Sequence, residues 1–383
     1  MAGKRSIFED VGTKAATAGP QGGMIAGRGQ GARRGIRLWL MSLFLLVAVM
    51  IGVGGMTRLT DSGLSITEWR PVAGAIPPLD DASWQQEFDK YRAIPEYQLQ
   101  NKGMSLSEFK RIYWWEWGHR QLGRVIGLVW AVGFFGFLLA GQIPQGWKRR
   151  LILPGALGGL QGAIGWWMVS SGLTGERLDV ASYRLATHLG LAFVILGVIA
   201  WQVFQLGRSE AELLQARRAR EARLYGLGTG LMHFAFLQIL LGALVAGIDA
   251  GRAFPTWPDM NGTFFPADAF YVPGGVWWQA FFENPGLVQF MHRMSGYGLF
   301  AFGLAVWLVS RRSAQASVRG AFAAVMAMMV VQMGLGIAAV LTLAQVHVAI
   351  THQVGAVVLW VLIIRARHMA QFPVAGSIRK GTA

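Results

Sequence analysis

Cysteine is missing altogether from the 383 residues, and charge is scarce: only 14% of the side chains are Asp, Glu, Lys or Arg. Without thiols the chain forms no disulfide, no thiolate metal site, no cysteine-held iron–sulfur cluster and no thioether-linked prosthetic group. A soluble domain carries roughly 25% charged residues, so the second shortage excludes an ordinary cytoplasmic enzyme. Apolar residues fill the gap, at 53% of the chain. The formal net charge of +15 would suit a nucleic-acid binder, but its distribution argues otherwise.

Eight apolar runs stand at 37–57, 116–140, 151–171, 184–204, 226–248, 287–309, 320–341 and 345–364. Each reaches the roughly 20 residues a helix needs to cross a hydrocarbon core about 30 Å thick. From Gly320 to Ile364 no charged residue occurs. As one helix that stretch would reach about 67 Å, so a break is expected near Thr342–Gln345. The expected fold class is all-α, a polytopic membrane protein with eight transmembrane helices.

Most Lys and Arg lie in the N-terminal tail, 141–150, 205–225, 310–319 and the C-terminal tail, whereas acidic residues outnumber basic ones in 58–115, 172–183 and 249–286. Cytoplasmic connections carry the excess of Lys and Arg, which puts both termini in the cytoplasm, or in the matrix of a mitochondrion. The positive charge is then topology, and no nucleic acid is expected as a partner. Residues 1–36 are rich in Gly, Ala and basic residues and read as a disordered cytoplasmic tail. The first span reads as uncleaved, and Glu9 and Asp10 speak against a mitochondrial transit peptide.

The chain repeats itself. Glu116-Trp117-Gly118-His119-Arg120 is echoed by Gln289-Phe290-Met291-His292-Arg293, Leu160-Gln161-Gly162 by Val331-Gln332-Met333, and Thr187-His188 by Thr351-His352. Gly54-Gly55-Met56-Thr57-Arg58 aligns loosely with Ala246-Gly247-Ile248-Asp249. Two tandem four-helix bundles are expected, at 37–204 and 226–365, related by a pseudo-twofold along the membrane normal. A basic cytoplasmic linker, 205–225, joins them, and 366–383 is a cytoplasmic tail.

The repeat places His119, His188, His292 and His352 in the first turns of the even-numbered spans, at similar depth in the outer leaflet. Each half owns two, and facing bundle helices are where cofactor sites are built. Two imidazoles with no Cys or carboxylate at either position suit the axial positions of a haem iron; a structural zinc would ask for four ligands. His347 lies about 140° off the face of His352 and lines a loop or a haem edge. His233 reads as structural and His368, in the basic tail, as solvated.

The halves differ at one position. Glu116 stands one turn before His119 on the same face, and its partner in the second half is Gln289. A carboxylate in a low-dielectric pocket can move protons near neutral pH, so one half is expected to do chemistry and the other to carry electrons. The alternative is a helix-start carboxylate favoured by the macrodipole. Arg120, Arg124 and Arg293 are charges inside predicted spans. Arg120 and Arg293 either snorkel to the interface or pair with haem propionates.

These residues resemble those of the heme A synthase family. Gly54-Gly55-Met56-Thr57-Arg58-Leu59-Thr60-Asp61-Ser62-Gly63-Leu64-Ser65 is similar to the family signature after span one, Glu116-Trp117-Gly118-His119-Arg120 to its Glu-x-x-His-Arg element, and Thr256-Trp257-Pro258-Asp259-Met260-Asn261-Gly262 to its second outer-loop motif. The resemblance covers roughly 37–365 and points to the branch shared by alphaproteobacteria and mitochondria. It implies a membrane oxidoreductase that oxidises the C8 methyl of haem o to a formyl group, giving haem a for cytochrome oxidase, through an alcohol and a gem-diol. It also implies that His119 and His188 hold the substrate haem beside catalytic Glu116, and that His292 and His352 hold a permanent haem b. Beyond haem o and membrane lipid, the resemblance suggests as partners the farnesyltransferase that makes haem o, oxidase assembly factors and further copies of the chain, with the electron acceptor unidentified. Some members carry an outer-loop cysteine pair; this chain lacks it, so any thiol–disulfide role is absent.

Two other classes compete: a quinone-linked dihaem b-type electron carrier, and a transporter or scaffold with structural histidines. In the first outer loop, Trp84–Arg92 is expected as a short amphipathic helix, and Ser105-Leu106-Ser107-Glu108 as a capping box opening the helix that runs into span two. Gly155–Gly159 permits close helix approach or leaves room for a porphyrin. Trp166-Trp167 and Tyr113-Trp114-Trp115 read as interfacial belt.

Overall fold

The computed structural model describes residues 24–374 apart from residue 176; the remainder of both expected tails lies outside the described residues. Regular structure among the described residues is helical, save one isolated β-bridge between Met260 and Thr263. We number the eight long helices α1 (Met24–Leu59), α2 (Leu106–Leu139), α3 (Lys148–Val169), α4 (Ser182–Leu206), α5 (Ala222–Gly247), α6 (Pro285–Ser310), α7 (Ala316–Leu341) and α8 (Val346–Gln371). All but α3 and α6 are long and apolar enough to cross a membrane. The helices overrun the apolar stretches at both ends of the chain. Residues 24–36, expected as tail, are already part of α1, and α8 continues past 365 to Gln371.

Local chemistry sets several boundaries. Ser105 and Glu108 form the capping box that opens α2. Asn284 caps α6, accepting from the Leu287 amide, with Pro285 in the first turn where its missing N–H costs nothing. Between α7 and α8, Leu343 and Ala344 both take left-handed backbone, φ 54° and 55°. Such a conformation costs an L-residue about 1–2 kcal/mol, and it makes the break where one continuous helix would overshoot a bilayer.

Helix α1 packs on α2 and α4, while α3 packs on those same two; α5 likewise packs on α6 and α8, with α7 against both. Contacts between these groups run from α4 to α5 and α8, and from α1 to α8. In lipid, tight fit rather than water exclusion drives such association. A Cβ on Gly247 of α5 would stand 2.9 Å from the Ser182 Cα of α4, so the backbone crossing there admits nothing larger than glycine. Three turns further along α4, Trp360 Nε1 donates to the Phe193 carbonyl (2.9 Å) among buried Leu196, Leu231 and Ile363.

An outer layer covers the first half. The expected amphipathic helix runs Asp81–Arg92, capped by Asp80, and Pro95–Leu99 follows it. Trp84, Phe88, Tyr91 and Tyr97 bury themselves against Phe109 and Tyr113 of α2. Tyr113 is therefore core rather than interfacial belt, whereas Trp114 and Trp115 are exposed. Gly155 gives way to the Trp130 ring of α2, a close approach of helices, while nothing lies near Gly158 and Gly159.

Candidate functional site

Each of the four repeat-matched histidines lies against a glycine of the preceding long helix. A Cβ on Gly165 would come within 2.8 Å of His188 Cε1, on Gly242 within 3.0 Å of His292 Cε1, on Gly336 within 3.3 Å of His352 Cε1, and on Gly54 within 3.3 Å of His119 Nε2. All four rings are half-buried. His119 and His188 lie in coulombic reach of each other, and so do His292 and His352.

This pairing moves the repeat register between α1 and α5 by one turn. Gly54 corresponds to Gly242, not to Ala246. Asp61 and Asp249 then coincide, and both adopt left-handed backbone, φ 48° and 51°. Loose sequence similarity at the ends of the two spans misplaced the match; the cradle against each ring fixes it.

Three glutamines accompany the glycines. Gln161 Nε2 donates to the His188 carbonyl (3.0 Å), Gln238 Nε2 to that of His292 (3.0 Å) and Gln332 Nε2 to that of His352 (3.1 Å). Gln161 and Gln238 also touch ring Nδ1 at 3.2 and 3.1 Å. Their Oε1 atoms, with that of Gln332 and with His352 Nδ1, are buried without a partner. An imidazole that ligates metal through one nitrogen usually gives its other N–H to such an acceptor. Two imidazoles in each half, with polar capacity left over beside three of the rings, are a donor set of the kind a haem iron takes. Sequence reasoning missed the glutamines as a set. The signal was present: Gln-x-x-x-Gly recurs on α3, α5 and α7.

Glu116 is 2% exposed, and both of its oxygens are engaged. Oε2 accepts from Ser65 Oγ (2.7 Å) and the Ile66 amide (2.7 Å), while Oε1 accepts from Arg120 Nε (3.0 Å) and Nη2 (2.6 Å). Arg120 also donates to the carbonyls of Ile66 (2.7 Å) and Glu68 (3.0 Å). The second half repeats this arrangement. Gln289 Oε1 accepts from Arg293 Nη2 (3.0 Å), its amide donates to the Ala250 carbonyl (2.9 Å), and Arg293 binds the carbonyls of Phe254 (2.8 Å) and Asp259 (2.9 Å). Arg124 donates to the carbonyls of Pro71 and Arg70. These three arginines are thus bound by backbone carbonyls of the connecting loops, and Arg293 Nε is buried without an acceptor. Above Arg120 and Arg124, a polar cavity of about 190 Å³ is lined by Glu68, Arg70, Glu87 and Tyr113.

The Thr256–Gly262 segment forms a tight turn over Arg293. Thr256 Oγ1 donates to Asp259 Oδ1 (2.7 Å) and accepts from the Asn261 amide (2.7 Å). The hydroxyl bond from Thr256 holds the Asp259 carboxyl below its ordinary range. At the ends of α1 and α5, Arg58 binds Asp61 (2.8 Å), Asp179 (3.3 Å) and Asp249 (2.9 Å) at once.

The remaining histidines stand apart. His233 and His347 are exposed. His368, expected in solvent, is 1% exposed, because α8 extends far enough to pack it against Trp201, Phe204 and Phe372.

Residues 37–364 match the family model described as cytochrome oxidase assembly protein. The chain is 66% identical over 386 residues to the heme A synthase of Cereibacter sphaeroides strain ATCC 17029, covering 99% of each. It is 63% identical over 382 residues to the heme A synthase of Ruegeria pomeroyi, covering 99% of this chain and all of the relative. With the heme A synthase of Paracoccus denitrificans it shares 59% identity over 378 residues, 98% of each.

Proposed function

The chain belongs to the cytochrome oxidase assembly protein family, and on that premise we propose how its two halves divide the work of a heme A synthase. It is an integral membrane oxidoreductase that converts haem o to haem a for cytochrome oxidase, oxidising the C8 methyl to a formyl group. The observation that carries the reading at the level of residues is the imidazole pair in each half, each ring seated against a glycine.

In this reading the eight long helices all span, as two tandem four-helix bundles joined by the 205–225 linker. The paired packing of α1–α4 and of α5–α8 supports it. Both termini face the cytoplasm and the haem sites lie towards the outer leaflet, as the Lys and Arg bias requires.

His119 and His188 hold the haem o substrate; His292 and His352 hold a resident haem b, which supplies one-electron transfer when bound. Glu116, one turn from His119, places the single carboxylate of the two sites beside the substrate. Through Ser65, Ile66 and Arg120 it also anchors the loop that follows α1. Arg120 and Arg293 would pair with the haem propionates, and the spare N–H at Arg293 Nε supports this for the second half.

The deciding experiment is haem extraction and chromatography from protein purified out of cells supplied with haem o. Haem a alongside protohaem is expected. Protohaem alone would leave a dihaem electron carrier, a reading favoured by the near-identical build of the two Arg–Glu and Arg–Gln clamps.

A further inference from the structure

Three of the four paired histidines have their backbone carbonyl bound by a glutamine, which in two of them also reaches the ring, and the fourth has no such partner. Gln161, Gln238 and Gln332 each stand four residues before the glycine that cradles a ring, and each donates to the carbonyl of that histidine. Helix α1 keeps the glycine, Gly54, but has Met50 one turn earlier. Met50 occupies the same place as Gln238. Its Cε would lie 3.4 Å from a Cβ on Gly123, four residues after His119; Gln238 Nε2 would lie 3.2 Å from a Cβ on Gly296, four after His292. A thioether has no N–H to give. The His119 ring also meets its glycine by another edge, with Nε2 and Cδ2 nearest where the other three present Cε1.

Resting on the assignment of these histidines as haem ligands, we propose that Gln161, Gln238 and Gln332 are positioning residues that lock His188, His292 and His352, and that Met50 leaves His119 as the exchangeable ligand through which haem o enters and haem a leaves. The division follows from what each site must do. A resident haem gains from two fixed ligands, and the second half has a glutamine at both. A substrate must depart after every turnover, which one fixed ligand and one yielding ligand allow. Partners that orient a ligating imidazole change metal affinity by about 10- to 100-fold, enough to separate a resident group from a visiting one.

The test uses purified protein loaded with haem b and haem o, with transfer of each haem to excess apomyoglobin followed by absorbance. Met50→Gln is expected to slow haem o loss about tenfold and to leave haem b loss unchanged. Gln161→Met is expected to speed haem o loss, Gln238→Met to speed haem b loss, and Met50→Leu to behave as the parent. If Met50→Gln does not fold, Gln161→Met and Gln238→Met decide the matter with the same assay. Unchanged rates in the glutamine variants would overturn the proposal. So would loss of haem o in Met50→Leu equal to that in His119→Ala, because the sulfur would then be a ligand itself. The ligand assignment fails separately, if His119→Ala and His292→Ala both retain their haems.

Discussion

Arg58 Nη2 at the end of α1 lies 2.9 Å from Asp249 Oδ2 just past α5, so a single guanidinium ties together the C-terminal ends of the two helices that begin each half. The same side chain binds Asp61, the repeat counterpart of Asp249, and donates through Nε to the Ala246 carbonyl at 3.0 Å. Its side chain is 13% exposed. Arg58→Met leaves three carboxylates without their shared cation and is expected to cost about 1–3 kcal/mol of stability. Thermal unfolding in detergent checks this, and Arg58→Lys should recover part of the loss. An unfolding midpoint unchanged in Arg58→Met would remove the latch from the account.

Glu116→Gln puts an amide where Ser65 Oγ and the Ile66 N–H both donate. A charged acceptor of both bonds is lost there, at about 1.5–3 kcal/mol. Bound haem should persist while haem a output falls at least tenfold. Full turnover in this variant would confine Glu116 to loop anchoring.

His292→Ala and His352→Ala are each expected to lose haem b, and His119→Ala and His188→Ala to weaken retention of haem o. His233→Ala and His347→Ala, at exposed positions, should change neither. Pyridine haemochrome spectra of purified variants give the count. Unaltered haem content across the first four would end the ligand assignment.

His368 carries two ring nitrogens without partners inside an aromatic cluster. His368→Phe removes buried polar atoms and keeps the volume, so stability should hold or rise by about 1 kcal/mol. A marked fall in the unfolding midpoint would point to a polar partner for this ring.

In the outer layer, burial pushes the Glu96 carboxyl up to about 8, despite the hydrogen bond donated by Tyr91 OH (3.1 Å). A carboxyl raised in the folded state binds more protons folded than unfolded between about pH 4.5 and pH 8, so stability falls as pH rises through that window. Hydrogen exchange of Asp81–Leu99 should therefore quicken from pH 5 to pH 8 after correction for intrinsic rates. Glu96→Gln should flatten the trend, and an unchanged slope in that variant would acquit Glu96.

Much of this was legible because membrane physics is strict. Long, mostly apolar runs forecast all eight long helices. The lack of charge from Gly320 to Ile364 forecast the break, which two left-handed residues make. Ser105 and Glu108 announced their capping box. The equivalence of the four histidines was legible because a repeat marks matching positions without any coordinates, and each lies against a glycine of the preceding helix. Tyr113 and His368 misled, since each looks interfacial or solvated until a distant segment covers it. Arg120 and Arg293 read as charges in spans; the carbonyls that bind them lie 34–54 residues away in sequence.

The chain by itself determined the apolar lengths, the alternation of basic connections and the twofold recurrence of His-Arg and Thr-His, because bilayer thickness and helical period leave few alternatives for such a pattern. Only the tertiary structure decided which glycine faces which ring, that Gly54 corresponds to Gly242, and that three histidine carbonyls are bound by glutamine while Met50 stands at the matching place on α1. Those relations depend on the rotation of one helix against the next. That rotation is set by side-chain packing across the interface, which a one-dimensional pattern does not contain.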